Sequence, residues 1–574
     1  NIGKCIAIVL DDEVVSAPVV QSEISGGVSS ITGNFTAQEA QDLANILQTG
    51  KLPVPAHIVQ EQVVGPTLGK ESIQAGIKSF VLSFVIIFIL MLIYFNNGGM
   101  VANIALILNL LFTVGVLAAL GATLTMPGIA GLVLTIGMAV DTNVIIFERI
   151  KEELYQGKGY LQAIADGYRH SYAPVLDAHV TMLLTAIILY YFGLGPVRGF
   201  ATTQILGILL SLFTGILVSR LVEDFWTNKK RHFEYFTRLS RAIFRKAHFK
   251  FIENRKYAYI ISGILMLLGL TSYFHGFNEG VEFKGGRSYD IQFTQAYTTE
   301  EIAKSLQPLL GEFPVVKTLG THHVMNITTS YLIDQSGEKI DSTVQHTLFV
   351  GLQPYLPKGT DFQTFRTKYI IGSQTVLPTI SEDLKRGAVK ATIFAVIIIF
   401  LYILIRFRRW QYSLGTILSL VHDVLVILFV FSYLRKWIPE LEINQQFIAA
   451  ILTVIGYSMN DTIIVFDRVR EYFREMKGAD KVTVIDKAIN DTLTRTIMTS
   501  LTVFVTILIL FLFGGESIRG FSFAMLVGII TGTYSSIFIA SPVLVDFDRK
   551  NRLHTRESAG VKAPAYASRK ATAK

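Results

Sequence analysis

A chain of 574 residues in which 51% are hydrophobic and 17% charged has the bilayer, not water, as solvent for most of its length. A single cysteine, Cys5, excludes an internal disulfide. The net charge of +8 reads as Lys and Arg gathered on one side of a membrane, against anionic lipid or a cytosolic partner, and not as a nucleic-acid-binding surface.

In chain order, residues 1–75 read as the closing part of an α/β module outside the membrane, with "CIAIVL" as strand and "TAQEAQDLANIL" as helix. "GPTLGKE" from Gly65 is no phosphate loop: its glycines are too close, and Glu71 stands where a Mg²⁺-binding Ser or Thr is needed. Five spans follow within 76–222, at 77–95, 101–120, 127–147, 176–193 and 200–222. A basic linker, 223–256, leads to a span at 257–274. The polar segment 275–387 has a βαββαβ order, which predicts a compact ferredoxin-like α+β sandwich able to tilt as a unit. Its "EFKGG" stretch, with Gly285 and Gly286, and the approach to Gly387 are the expected turn and hinge points. Five more spans occupy 388–545, at 388–406, 413–433, 447–466, 496–513 and 521–544, before a basic tail, 546–574. Neither outside module holds a metal-ligand cluster or a nucleophile with its base, so no cofactor or nucleotide is expected.

Basic loops at 229–256, "RFRRW" from Arg406, "DRVREYFREMK" from Asp467 and the tail all fall on one side of eleven alternating spans, which makes that side the cytoplasm. The chain also repeats. Gly137, Ile145, Phe147, Arg149 and Glu152 match Gly456, Ile464, Phe466, Arg468 and Glu471, and "RGFATTQILGI" matches "RGFSFAMLVGI". Two parallel halves are fused, with a twelfth span and most of the first outside module expected upstream, and a working site expected near the midplane between the halves. The helices bearing Asp141 and Asp461 are predicted to be adjacent on a pseudo-two-fold axis.

A carboxylate in mid-bilayer costs about 2.5–3.5 kcal/mol on insertion scales, so such groups are read first as functional. Asp141 lies about 9 Å before the end of its span and Asp461, beside Asn460, at a comparable depth; Arg495, about 7.5 Å into the next span, is expected to meet Asp461. Thr499, Asp177, His422 and Asp423 are supporting polar residues, with helix-to-helix bonding the competing role for each. Glu148, Arg149, Asp467 and Arg468 are expected to end their helices among headgroups.

"GMAVDTNVIIFERIKEE" with "LDAHVTMLLTA", and "FKGG", "HD", "GYSMNDTIIVFDRVRE" with "TRTIMTSLT", resemble the membrane signatures of the fused SecD–SecF protein-export family of the resistance-nodulation-division superfamily. The resemblance spans nearly the whole chain and departs from the family at "LDAHVT", where His179 replaces an expected Asn. It implies a cofactor-free factor of the bacterial inner membrane, with periplasmic modules, that works beside the SecYEG translocon. The proton gradient would drive late export of unfolded preproteins, with YajC-like and YidC-like membrane proteins as further partners. The family's proton-linked positions fall on Asp141, Asp461 and Arg495. An exporter of small molecules or lipids, a passive translocon scaffold and an intramembrane aspartyl protease are the rivals; the second module is too small for the first, and an Arg at the carboxylates' depth opposes the shared proton of the last.

Overall fold

The computed structural model describes residues 2–10, 13–22, 30–33, 35–36, 40–41, 43–44, 60–64, 66–122, 124–229, 233–242, 248–319, 323–333, 335, 338–438 and 441–548. Most of the predicted helix "TAQEAQDLANIL", Gly65 and nearly all of the basic tail lie outside them. Among the described residues eleven helices are long and apolar enough to cross a membrane. They are α1 (Pro66–Phe95), α2 (Asn97–Ala119), α3 (Met126–Tyr155), α4 (Tyr160–Phe192), α5 (Gly195–Asn228), α6 (Arg255–His275), α10 (Pro378–Phe407), α11 (Trp410–Leu434), α12 (Gln445–Glu475), α13 (Lys481–Phe513) and α14 (Arg519–Asp546).

The repeat is visible in how the helices start and pack. Helix α3 begins at Thr125, whose side chain accepts the Gly128 N–H at 3.1 Å, and α12 begins at Asn444, whose side chain accepts the Phe447 N–H at 2.9 Å; both caps satisfy donors that a helix leaves open. These two helices are the buried centre of the bundle. Each crosses the other half through a glycine: Gly137 of α3 lies against Val503 and Thr506 of α13, and Gly456 of α12 lies against Met182 and Thr185 of α4. A side chain at either glycine would collide with its neighbour, so these small residues set the close approach of the halves. The last helix of each half carries a π-helical turn, Phe213–Val218 in α5 and Ser536–Ala540 in α14.

Several helices outrun their predicted spans: α4 and α13 start well before 176 and 496, and α3 and α12 continue past 147 and 466. Hydropathy marks only the stretch solvated by hydrocarbon, whereas the backbone ladder continues through amphipathic sequence once a cap such as Asp480, which accepts the Val482 N–H at 3.1 Å, starts it.

Outside the bundle, β1 (Ile8–Leu10) and β2 (Glu13–Ser16) form an antiparallel pair. The larger domain combines a short helix, α7 (Val281–Lys284), with α8 (Thr299–Leu310), α9 (Glu338–Leu352) and a five-stranded antiparallel sheet. The strands run in the order β3 (Gln60–Val64), β8 (Ile370–Val376), β5 (Gly286–Gln292), β7 (Val324–Thr329), β6 (Val315–Thr318). Alternation places Met325, Ile327 and Thr329 of β7 inside, and Met325 and Ile327 pack with Tyr289 and Ile291 on Ile302 and Leu306 of α8 and Val344 and Leu348 of α9. A capping box between Thr298 and Glu301 starts α8 and left-handed Gly311 ends it.

The expected βαββαβ order is present as β5, α8, β6, β7, α9 and β8, and strand β3, from the first half, adds a fifth strand by pairing with β8 over Gln60–Val64. One expectation for this domain is corrected. Gly387 lies inside unbroken α10, because Pro378 at the helix start, and not a glycine, marks where the strand ends. Gly285 and Gly286 do form a turn, with φ of 73° and 134°, and a side chain at Gly286 would strike the Thr329 carbonyl.

Candidate functional site

The centre of the bundle is built from the two matched stretches of α3 and α12. Asn460 donates its side-chain N–H to Asp141 Oδ2 at 2.6 Å, and the two residues are 319 apart, the period of the repeat. Equivalent positions therefore meet across the pseudo-two-fold axis. Asp141 is 2% exposed, and its Oδ1, like Asn460 Oδ1, has no hydrogen-bond partner.

One residue further along α12, fully buried Asp461 faces away from the axis. It accepts three hydroxyls, from Thr499 at 3.4 Å, Ser500 at 3.0 Å and Thr533 at 3.2 Å, which join α12 to α13 and α14. The expected pairing with Arg495 is absent: Arg495 makes no ion pair with Asp461 within 4.0 Å. Thr499 and Ser500 are the α13 residues that reach Asp461, with Arg495 one turn, about 6 Å, closer to the basic end of a helix that starts at Lys481 and not near Asn490. Arg495 is buried, its Nε has no partner, and it lines a cavity of about 270 Å³. Arg149, His170, Arg468 and Glu471 share that lining, with exposed Arg474 and Glu475 among the residues around it.

The same cavity wall holds an ion-pair ring that gives Arg149 and Arg468 partners within the protein. Arg149 binds Glu152 at 3.1 Å and Glu471 at 2.8 Å; Arg468 binds Glu152 at 2.5 Å and Glu471 at 3.2 Å. Both arginines are 7% exposed. Two equivalent Arg and two equivalent Glu thus clasp α3 to α12, an arrangement that long side chains at helix ends reach only when the ends converge. Glu148 is also buried and pairs with Lys151 at 2.7 Å, while Asp467 pairs with Arg470 at 2.9 Å and Arg406 at 3.5 Å. The matched Arg and Glu of the two repeats were the signal for the ring. Ser500 and Thr533 had none beyond their place in apolar helices.

The first half holds a different set at the corresponding place. The packing of Gly137 and Gly456 aligns α4 with α13, so that His179 corresponds to Ser500 and Pro174 to Arg495, while Thr142 corresponds to Asp461. Buried His179 lies 3.3 Å from Thr142 Oγ1 and 3.0 Å from Ser211 Oγ through Nε2, with Nδ1 2.8 Å from the Val175 carbonyl. An Nδ1–H donated to that carbonyl leaves Nε2 to accept from a hydroxyl.

The remaining predicted residues sit apart from the axis. Asp177 accepts Tyr402 Oη and Arg406 Nε, each at 2.6 Å, tying α4 to α10. Asp423 accepts Ser458 at 2.7 Å and Ser535 at 2.9 Å, with His422 Nδ1 at 3.1 Å, inside the second half. Sequence reasoning missed further buried carboxylates, among them Glu223 on α5, which accepts Tyr235 Oη at 2.8 Å. Among the described residues no group of three or more His, Cys, Asp or Glu could hold a metal ion.

Comparison with known proteins places this architecture. The family model "Protein export membrane protein SecD/SecF, C-terminal" matches residues 48–229 and 358–550. "SecDF, P1 head subdomain" matches 1–54, and "SecD/SecF GG Motif" matches 273–296, the segment of Gly285 and Gly286. The protein translocase subunit SecDF of Bacillus subtilis (strain 168) is 36% identical over 557 residues, covering 92% of this chain and 71% of the relative. That of Brucella abortus biovar 1 (strain 9-941) is 34% identical over 549 residues, covering 95% and 70%. The crystal structure of SecDF from Thermus thermophilus, described as a translocon-associated membrane protein, superposes with a TM-score of 0.79 at 35% identity, covering 96% of this chain and 73% of that one.

Proposed function

The chain belongs to the SecD/SecF protein-export membrane protein family, and we propose that it is a Sec-associated translocation factor powered by the proton gradient across the bacterial inner membrane. Asp141, Asp461 and Arg495 are its proton-coupling residues, Asn460 and Thr499 their supports, and no cofactor is required. The basic loops face the cytoplasm and the α/β domains the periplasm. SecYEG and unfolded preproteins are the partners, with YajC-like and YidC-like proteins and anionic lipid as further contacts.

The observation that carries this reading is the half-satisfied Asp141 carboxylate on the symmetry axis, next to a second carboxylate held only by hydroxyls. A charge in hydrocarbon must keep a counter-charge or take a proton. Asp141 has one oxygen without a donor, and a proton there would supply one. Arg495, one turn from Thr499 and lining the cavity, is placed to approach or leave the carboxylates as the repeats shift, so proton affinity and conformation are linked. One proton crossing contributes about 2.3 kcal/mol per 100 mV, enough to bias a modest rearrangement of two packed bundles.

Proton flux through purified protein in liposomes tests this directly. Flux in the parent and its loss in Asp461→Asn support the reading; equal flux in both would remove it.

A further inference from the structure

The "EFKGG" stretch, which the proton site does not use, contains a carboxylate that joins the α/β domain to the helix of Asp461. Glu282 lies on α7, between β4 (Asn278–Glu279) and the Gly285–Gly286 turn. Its Oε2 accepts the backbone N–H of Gln445, the first residue of α12, at 2.7 Å, and its Oε1 accepts the side-chain N–H of Gln374 on β8 at 3.3 Å. A helix N-terminus holds an anion well, through its open N–H groups and its dipole. Here the anion comes from the domain and the helix from the membrane.

The surrounding contacts make this a latch and not an isolated bond. Strand β4 pairs in parallel with β9 (Glu442–Ile443), the two residues that lead into α12. Gly280 donates its N–H to the Ile443 carbonyl at 3.0 Å, and Lys317 of β6 pairs with Glu442. On the other side, Ser381 of α10 donates to the Phe283 carbonyl. From Gln445 the unbroken helix runs sixteen residues, about 24 Å, to Asp461, and then on to the Arg–Glu ring at its far end. A displacement of α12 at mid-membrane is therefore felt at Glu282 with no loop in between.

We propose that Glu282 is a positioning residue of the export reaction: its bonds to Gln445 and Gln374 carry movement of the Asp461 helix into the α/β domain. The inference rests on the proton-coupled reading above. Among the described residues, Glu282 alone bonds both α12 and a strand of the large sheet through one carboxylate.

The test uses the full chain in liposomes, with spin labels at exposed Val350 on α9 and exposed Leu124 in the loop before α3. Asp461→Asn should shift the label distance when Glu282 is present. In Glu282→Ala the distance should no longer respond to residue 461, and gradient-dependent export should be lost while proton flux stays at the parental level. Glu282→Gln keeps an oxygen for the Gln445 N–H and should restore most of the response, which a merely misfolded domain would not permit. An undiminished response in Glu282→Ala overturns the latch, as does an unshifted distance in the parent; absence of proton flux in the parent instead overturns the reading beneath it.

Discussion

His179 stands in the first repeat where Ser500 stands in the second, and each bonds to the residue the repeat makes equivalent, His179 to Thr142 and Ser500 to Asp461. The membrane site is therefore symmetric in backbone and asymmetric in chemistry. A carboxylate, its hydroxyls and a nearby guanidinium occur only in the second half, and Asp141 contributes from the axis.

His179 is expected to act as a hydrogen-bond hub. His179→Asn keeps an acceptor for Thr142 and Ser211 and should preserve both membrane levels and gradient-dependent export. His179→Leu leaves those hydroxyls without it, at a cost of about 1–3 kcal/mol. Thermal unfolding in detergent beside an export assay separates the two; a loss of proton flux in a stable His179→Asn protein would contradict the assignment.

Asp141→Asn and Asp461→Asn preserve side-chain size and most hydrogen bonding while removing titration. Both proteins should accumulate normally, support the ATP-driven early stage of export, and lose the stimulation that depends on the gradient. Immunoblots and preprotein import into inverted vesicles measure this. Proteins missing from the membrane would point to helix bonding as the role of these residues.

The Arg–Glu ring should be energetically coupled. Arg468→Met leaves two carboxylates short of a partner and is expected to cost about 3 kcal/mol, the low end for a broken buried pair because Glu152 and Glu471 are partly exposed. Glu152→Gln should cost about 1 kcal/mol. The double variant should fall short of the sum by a measurable coupling energy, read from unfolding midpoints; strict additivity would show the pairs to be independent.

In the α/β domain, burial pushes the Asp290 carboxyl up to about 6, although the Asn326 side-chain N–H holds it at 2.6 Å. The native state then keeps a proton that the unfolded chain, near its ordinary 3.9, has released. Its stabilising contribution is present at low pH and is lost as pH rises from about 4 through about 6, by up to about 3 kcal/mol. Asp290→Asn should flatten that slope in thermal unfolding followed across this window.

Eleven spans and the doubling of the chain were legible because apolar length and matched residues are local properties. Asp141 and Asp461 were legible as costs. Their partners were not: Arg495 and Thr499 lie one turn apart on the same face of α13, and which of them meets Asp461 depends on the relative depth of two helices, which hydropathy leaves open. The ring was half visible, since Arg149, Arg468, Glu152 and Glu471 match across the repeats, but a charge at a helix end looks like a headgroup contact until the neighbouring end is known. The joining of β3 to β8 has no local signal, because an edge strand reads alike whichever sheet it completes.

That strand pairing has a kinematic consequence. Strand β3 ends at Val64 and α1 begins at Pro66, while β8 ends at Val376 and α10 begins at Pro378, so two neighbouring strands of one sheet are each fastened almost directly to a span. A rigid body fixed at two points retains one freedom, rotation about the line through them. The segment from Gly276 to Gly286, with the Lys317–Glu442 pair beside it, is the third fastening, and it sets the angle of that rotation. A domain hung in this way converts small axial shifts at the third point into a swing of its far edge, in a single direction that neither half could impose without the other.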